Sequence, residues 1–136
     1  MANSKYSERF NSSRRGFWPN NSPLLGHLDI ELTERCDNNC VHCSINIPEN
    51  DPKKKNEINT SDVKKIIREA ADLGAMSIRF TGGEPLLRED FSELYLFARR
   101  SGIKVIIFTN ARKITPELAR LLAEVPPLEK VEVSVY

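Results

Sequence analysis

The sequence has few cysteines, no long apolar run and almost no excess charge. Its 20 basic and 19 acidic side chains give a formal net charge of +1, which offers no electrostatic reason to expect binding to nucleic acid or to an anionic membrane. No apolar run approaches the roughly 20 residues that a helix needs to cross a bilayer. With 136 residues, the chain is long enough for one domain with its own hydrophobic core.

We do not expect an export signal in the N-terminal residues. Residues 13–18, "SRRGFW", resemble a twin-arginine motif, but the polar, proline-broken stretch that follows lacks the apolar segment of about 7–15 residues that export requires. We therefore interpret residues 1–26 as a polar N-terminal lead-in. An odd number of cysteines without a signal peptide favours the reducing cytoplasm, where thiols bind metals.

Short β-rich runs alternate with helical periodicity from residue 27 onwards. The predicted strands are 27–32, 76–80, 103–108 and 130–136, and the predicted helices are 61–74, 90–102 and 115–125. This order predicts an α/β fold, with a parallel sheet and right-handed crossovers, over residues 27–136. Residue type predicts the caps: Thr60 or Ser61 and Gly74 for the first helix, Asp90 for the second, and Thr115 for the third.

The three cysteines, Cys36, Cys40 and Cys43, lie within eight positions of the first crossover. Polar or glycine-rich segments, 81–85 and 109–112, follow the second and third strands, and Ser134 and Tyr136 lie at the end of the fourth. Because parallel α/β folds bind ligands at the carboxyl ends of their strands, we expect these segments to meet at one edge of the sheet.

Three sulfurs suit an iron–sulfur cube in which one iron keeps an open coordination position, since such a cube usually takes one thiolate per iron. A zinc ion bound by the three cysteines, with His42 or His27 as the fourth ligand, is an alternative.

The C-x3-C-x2-C spacing, followed about 40 residues later by "GGEP" at a strand end, resembles the radical S-adenosylmethionine (SAM) superfamily from about residue 27 to 136. The resemblance implies a parallel (β/α) partial TIM-type barrel, of which this chain holds the first four strands. It implies that Cys36, Cys40 and Cys43 bind a 4Fe-4S cluster whose fourth iron is chelated by SAM. The "VSVY" strand looks most similar to the branch that modifies peptides and proteins, whose members often carry extra clusters in a C-terminal region.

The resemblance also implies roles in SAM binding. Gly82, Gly83 and Glu84 match the motif that holds the methionine amino group, and His42 lies where the family usually has an aromatic side chain beside the adenine. Ser134 matches a position that touches the ribose or carboxylate, and Asn110 would be a neighbour of SAM.

The function implied is reductive cleavage of SAM to a 5′-deoxyadenosyl radical that abstracts hydrogen from a substrate. A flavodoxin or ferredoxin would supply the electron, and the substrate would be a peptide or protein. A non-catalytic iron–sulfur electron carrier and a structural zinc module are the alternatives. Because four strands cannot close a barrel, we expect the chain alone to be inactive on its physiological substrate and to associate with itself.

Overall fold

The computed structural model describes residues 25–45, 47–52 and 56–135. The predicted N-terminal lead-in lies almost wholly outside the described residues, as do the Lys53–Lys55 run and Tyr136. The strands are β1 (His27–Thr33), β2 (Arg35–Cys36), β3 (Ile47–Pro48), β4 (Ser77–Gly82), β5 (Lys104–Thr109) and β6 (Leu128–Val133). The helices are α1 (Thr60–Asp72), α2 (Phe91–Arg100) and α3 (Pro116–Glu124), with a 3₁₀ turn at Pro85–Leu87.

Four strands form one parallel sheet in the order β1-β4-β5-β6, which confirms the predicted α/β architecture. Strands β2 and β3 form a separate parallel pair inside the first crossover. Within the described part of the chain, no helix is both long enough and apolar enough to cross a membrane.

The apolar side chains of the strands form the core with the helices. Ile78, Phe80 and Val105 are fully buried in one cluster with residues of α1 and α2. Asp29 and Glu31 alternate along β1 with the apolar residues that enter this core. Both are exposed on the opposite face of β1, where Asp29 accepts a hydrogen bond from Arg79 Nη1 at 3.2 Å.

Two helix starts differ from the prediction. Asn59, rather than Thr60 or Ser61, caps α1, because its side-chain oxygen accepts from the backbone N–H of Asp62 at 2.9 Å. Thr60 instead donates its hydroxyl to Asp90 at 2.6 Å. Asp90 occupies the N-cap position of α2 but makes no side-chain capping bond, since its carboxylate is taken by Thr60 and Arg88. The predicted Thr115 cap of α3 is confirmed.

A partly buried ion pair holds the long first crossover together. Arg35 is 4% exposed, and its Nε donates to Glu57 Oε1 at 2.6 Å. Its Nη1 donates to the carbonyl of Glu49 at 2.9 Å. Arg35, which directly precedes the first cysteine, is therefore joined to Glu49 and Glu57, which both follow the last one.

Candidate functional site

A cavity of about 270 Å³ opens at the carboxyl edge of the sheet, where loops from four strands meet. The cysteine loop forms one wall, and the ends of β4, β5 and β6 form the rest. Its lining includes all the residues predicted from the sequence except Glu84, namely Cys36, Cys40, His42, Cys43, Gly82, Gly83, Asn110 and Ser134. The arrangement brings together groups that are far apart in sequence.

All three cysteines are half-buried along the wall of this cavity, and none of them forms a disulfide. A hydrogen bond of 3.0 Å from the Cys43 N–H to the Cys40 carbonyl closes a tight turn between two of them. No group of three or more His, Cys, Asp or Glu side chains among the described residues is placed to hold a single metal ion. An iron–sulfur cube differs from a site for a single metal ion, because each of its thiolate ligands binds a different iron.

The environment of Cys36 favours its neutral form. Burial raises the pKa of the Cys36 thiol, and the nearby carboxylates of Asp37 and Glu84 raise it further, against a backbone hydrogen bond at Asn38 that lowers it. Metal binding at this thiol must therefore displace a proton, which makes metal uptake pH-dependent.

Gly82 and Gly83 lie against the chain that leads into the cysteine loop. A Cβ atom on Gly82 would be 2.0 Å from the Thr33 carbonyl oxygen, and one on Gly83 would be 2.3 Å from the Arg35 carbonyl oxygen. The Gly83 N–H donates to the Thr33 carbonyl at 2.7 Å. Gly82 has a φ of 131°, a conformation that favours glycine. The pair thus lets two backbone segments approach closely while its other side lines the cavity.

Glu84 is fully buried, and its carboxylate points into the protein. Oε1 accepts from the Leu86 N–H at 3.0 Å and from the Thr109 hydroxyl at 2.8 Å, and Oε2 accepts from the Asn110 N–H at 2.7 Å. Burial raises the pKa of Glu84, although these three donors oppose the shift. The side chain therefore links the end of β4 to the end of β5.

Asn110 lies in a tight turn at the end of β5, where Ala111 has a φ of 64°. Its side-chain Nδ2 donates to Asp37 Oδ1 at 2.7 Å. Ser134 follows β6, and its N–H donates to the Thr109 carbonyl at 2.9 Å, which fixes its place at the cavity. His42 is exposed at the cavity rim on the cysteine loop.

Sequence reasoning missed three parts of this site. Asp37 and the Arg35–Glu57 pair position the cysteine loop, and Phe108 lines the cavity from β5. The available signals were weak: Arg35 and Asp37 flank Cys36 directly, and Phe108 precedes a polar strand end.

Comparison with known proteins decides the family. The sequence pattern of the Radical SAM superfamily matches residues 30–135, nearly all of the part that carries the sheet and the site. This chain belongs to the radical SAM superfamily. The family uses a 4Fe-4S cluster and SAM, and the resemblance inferred from the cysteines and "GGEP" is confirmed.

Several radical SAM relatives are similar to this chain. It is 39% identical over 94 residues to the Fe-coproporphyrin III synthase of Methanosarcina barkeri, covering 69% of this chain and 23% of that protein. It is 39% identical over 96 residues to a mycofactocin maturase of Mycolicibacterium smegmatis, covering 71% of this chain and 24% of that protein. The chain thus spans about a quarter of the length of these relatives.

Solved radical SAM structures share the fold. SuiB of Streptococcus suis bound to SAM aligns with a TM-score of 0.60 and 31% identity, over 77% of this chain and 22% of that one. SuiB bound to its precursor peptide SuiA aligns with a TM-score of 0.64 and 29% identity, over 76% of this chain and 23% of that one. The four-stranded sheet corresponds to part of the TIM-type barrel of the family.

The residues at the cavity fit the family's cofactors. Three cysteine side chains outside any disulfide lie on one wall, and the facing wall at Gly82 and Gly83 presents backbone without side chains. A glycine pair of this kind lets a ligand approach the main chain closely.

Proposed function

We propose that this chain is the cofactor-binding part of a radical SAM enzyme that modifies a peptide or protein. The observation that carries the proposal is the shared cavity, in which three thiols face the Gly82–Gly83 backbone and Ser134. An electron carrier needs a cluster but has no need of such a space beside it. A structural zinc module likewise gives no role to the ends of β4 and β6.

The cysteines have a defined role in this proposal. Cys36, Cys40 and Cys43 would hold three irons of a 4Fe-4S cluster, and the open iron would bind SAM. When bound, cluster and SAM supply reductive cleavage of a carbon–sulfur bond to a 5′-deoxyadenosyl radical that abstracts hydrogen from the substrate. The partly buried Arg35–Glu57 pair would keep the loop against the sheet, so that its thiols stay at the cavity.

The facing wall would hold SAM. The main chain at Gly82 and Gly83 would accept from the methionine ammonium, and Ser134 would contact the ribose or carboxylate. His42 lies at the rim, where it would pack beside the adenine. Glu84 would support SAM binding indirectly, because its three hydrogen bonds fix the ends of β4 and β5 that line the cavity.

A peptide or protein substrate is supported by two relatives of this chain. A mycofactocin maturase is similar to it in sequence, and SuiB with its bound precursor peptide is similar in fold. A flavodoxin or ferredoxin would supply the electron. The cytoplasm, where thiols stay reduced, is the compartment that suits such a cluster.

Reductive cleavage of SAM tests the proposal. The anaerobically reconstituted and chemically reduced protein is expected to form 5′-deoxyadenosine from SAM, measured by chromatography. Replacing any one of Cys36, Cys40 or Cys43 by alanine should reduce this product to the level of iron-free protein, because each thiolate holds one iron. Ser44→Ala, on the same loop and at the same cavity, is the matched control and should retain activity. Cleavage that survives all three cysteine variants would contradict the proposal.

A further inference from the structure

Asn110 and Asp37 form a hydrogen-bonded pair that joins the end of β5 to the cysteine loop. The Nδ2–Oδ1 distance between them is 2.7 Å, and the Asp37 side chain is only 6% exposed. The same Nδ2 lies 3.9 Å from the sulfur of Cys36, within reach of an N–H···S hydrogen bond. One side-chain amide therefore contacts both a buried carboxylate and a thiol of the cysteine motif.

The orientation of this amide is fixed from its other side. Asn110 Oδ1 accepts from the Arg112 N–H at 2.9 Å, and the Asn110 backbone N–H is held by Glu84 at 2.7 Å. With the oxygen facing the backbone, the two N–H groups of Nδ2 point toward Asp37 and Cys36. Flipping the amide would place its oxygen against the Asp37 carboxylate, where the two would repel each other.

Two cationic side chains flank the Asp37 carboxylate at longer distances than Asn110 does. Arg112 Nε lies 3.8 Å from Asp37 Oδ2 and Lys113 Nζ lies 4.0 Å from it, and both cationic side chains are more exposed than the carboxylate. Arg112 Nη1 also donates to the Asp37 carbonyl. The Asp37 carboxylate, next in sequence to Cys36, is thus largely shielded from bulk water.

We propose that Asn110 is a positioning residue that raises the reduction potential of the cluster by donating an N–H to the Cys36 sulfur, while the adjacent Asp37 carboxylate lowers it. The inference rests on the proposed function, since it requires a cluster on Cys36. Reduction adds a negative charge to the cluster, which an N–H donor stabilises and a nearby carboxylate opposes. The pair would therefore set the potential by two opposing contributions.

A redox titration followed by electron paramagnetic resonance tests the proposal on the reconstituted protein. Asn110→Ala should lower the ratio of reduced to oxidised cluster about tenfold at a fixed potential, which is about 59 mV for a one-electron couple. Asp37→Asn should raise that ratio, because it removes the charge while its amide oxygen still accepts from Asn110. Asn39→Ala, an exposed asparagine of the same loop, is the matched control and should leave the ratio unchanged.

Opposite shifts in the two variants would support the proposal, because a purely structural pair would lose cluster content without this pattern of signs. An unchanged potential in Asn110→Ala, or shifts in the same direction, would overturn it. If Asn110→Ala does not retain the cluster, Asp37→Asn decides alone: a higher potential supports the proposal and any other result overturns it. Unmodified protein that assembles no cluster would overturn the proposed function itself, and this proposal with it.

Discussion

Replacing Glu84 by alanine is expected to lower the free energy of unfolding by about 3 to 5 kcal/mol, since buried donors lose their acceptor and cost about 1 to 3 kcal/mol each. The carboxylate is fully buried and accepts from Leu86, Thr109 and Asn110. Alanine would leave the Thr109 hydroxyl and the Asn110 N–H unpaired and would open a cavity between β4 and β5. Urea unfolding of the protein measures the change.

Two matched variants separate this effect from a general loss of a glutamate. Glu84→Gln keeps the volume but only one acceptor oxygen, so it should cost less than alanine, about 1 to 2 kcal/mol. Glu124→Ala, at an exposed position of α3, should stay within about 0.5 kcal/mol of the unmodified protein. A Glu84→Ala variant that unfolds like Glu124→Ala would contradict this account of the side chain.

The pH dependence of stability gives a second readout of the same variants. Burial raises the pKa of Glu84 above its ordinary value of 4.5, so the folded protein binds this proton more tightly than the unfolded chain does. The part of the stability that comes from tighter proton binding at Glu84 is therefore fully present below pH 4.5 and is lost as the pH rises through the folded pKa, whereas the hydrogen bonds to its oxygens remain. Glu84→Gln should not show this component of the decline.

Adding a side chain to Gly83 is the second change with a large expected effect. A Cβ there would be 2.3 Å from the Arg35 carbonyl oxygen and 2.6 Å from its carbon, too close for a real structure. Gly83→Ala must push apart the segments joined by the Gly83–Thr33 and Glu84–Arg35 backbone hydrogen bonds. We expect a loss of about 3 kcal/mol in the free energy of unfolding, at the upper end for overpacking, and a large fall in iron uptake.

Gly26→Ala is the matched control for this change, because nothing lies within 4 Å of a Cβ at that position. It should unfold and take up iron like the unmodified protein. If Gly83→Ala also unfolded at the same urea concentration and bound the same amount of iron, the close approach at this position would be wrong.

Local patterns in the sequence predict much of this fold. The alternation of β-rich and helical segments correctly predicted the parallel sheet. It did so because strand residues such as Ile78 and Val105 are apolar, as burial in the core requires. The start of α1 was missed because several residues suited to capping stand together, and Asn59 takes the role while Thr60 bonds to Asp90. That choice depends on a contact between residues 30 positions apart.

The sequence predicted which residues line the site better than it predicted the contacts between them. Strand ends in a parallel sheet meet at one edge, so the cysteines and Gly82 could be expected to lie close together. The direction of the Glu84 side chain could not be predicted, because it depends on two donors at the end of β5, Thr109 and Asn110. Only the folded sheet brings them close. The role of Asp37 was not predicted for the same reason, since its hydrogen-bond partner Asn110 is 73 residues away in sequence.

The most direct test of the account is the metal content of the protein after anaerobic reconstitution with iron and sulfide. The account predicts about four irons and four sulfides per chain, the content of a single cube on Cys36, Cys40 and Cys43. Each single cysteine-to-alanine variant should lose that cluster. One zinc per chain in protein purified without oxygen, with no iron or sulfide taken up on reconstitution, would contradict it.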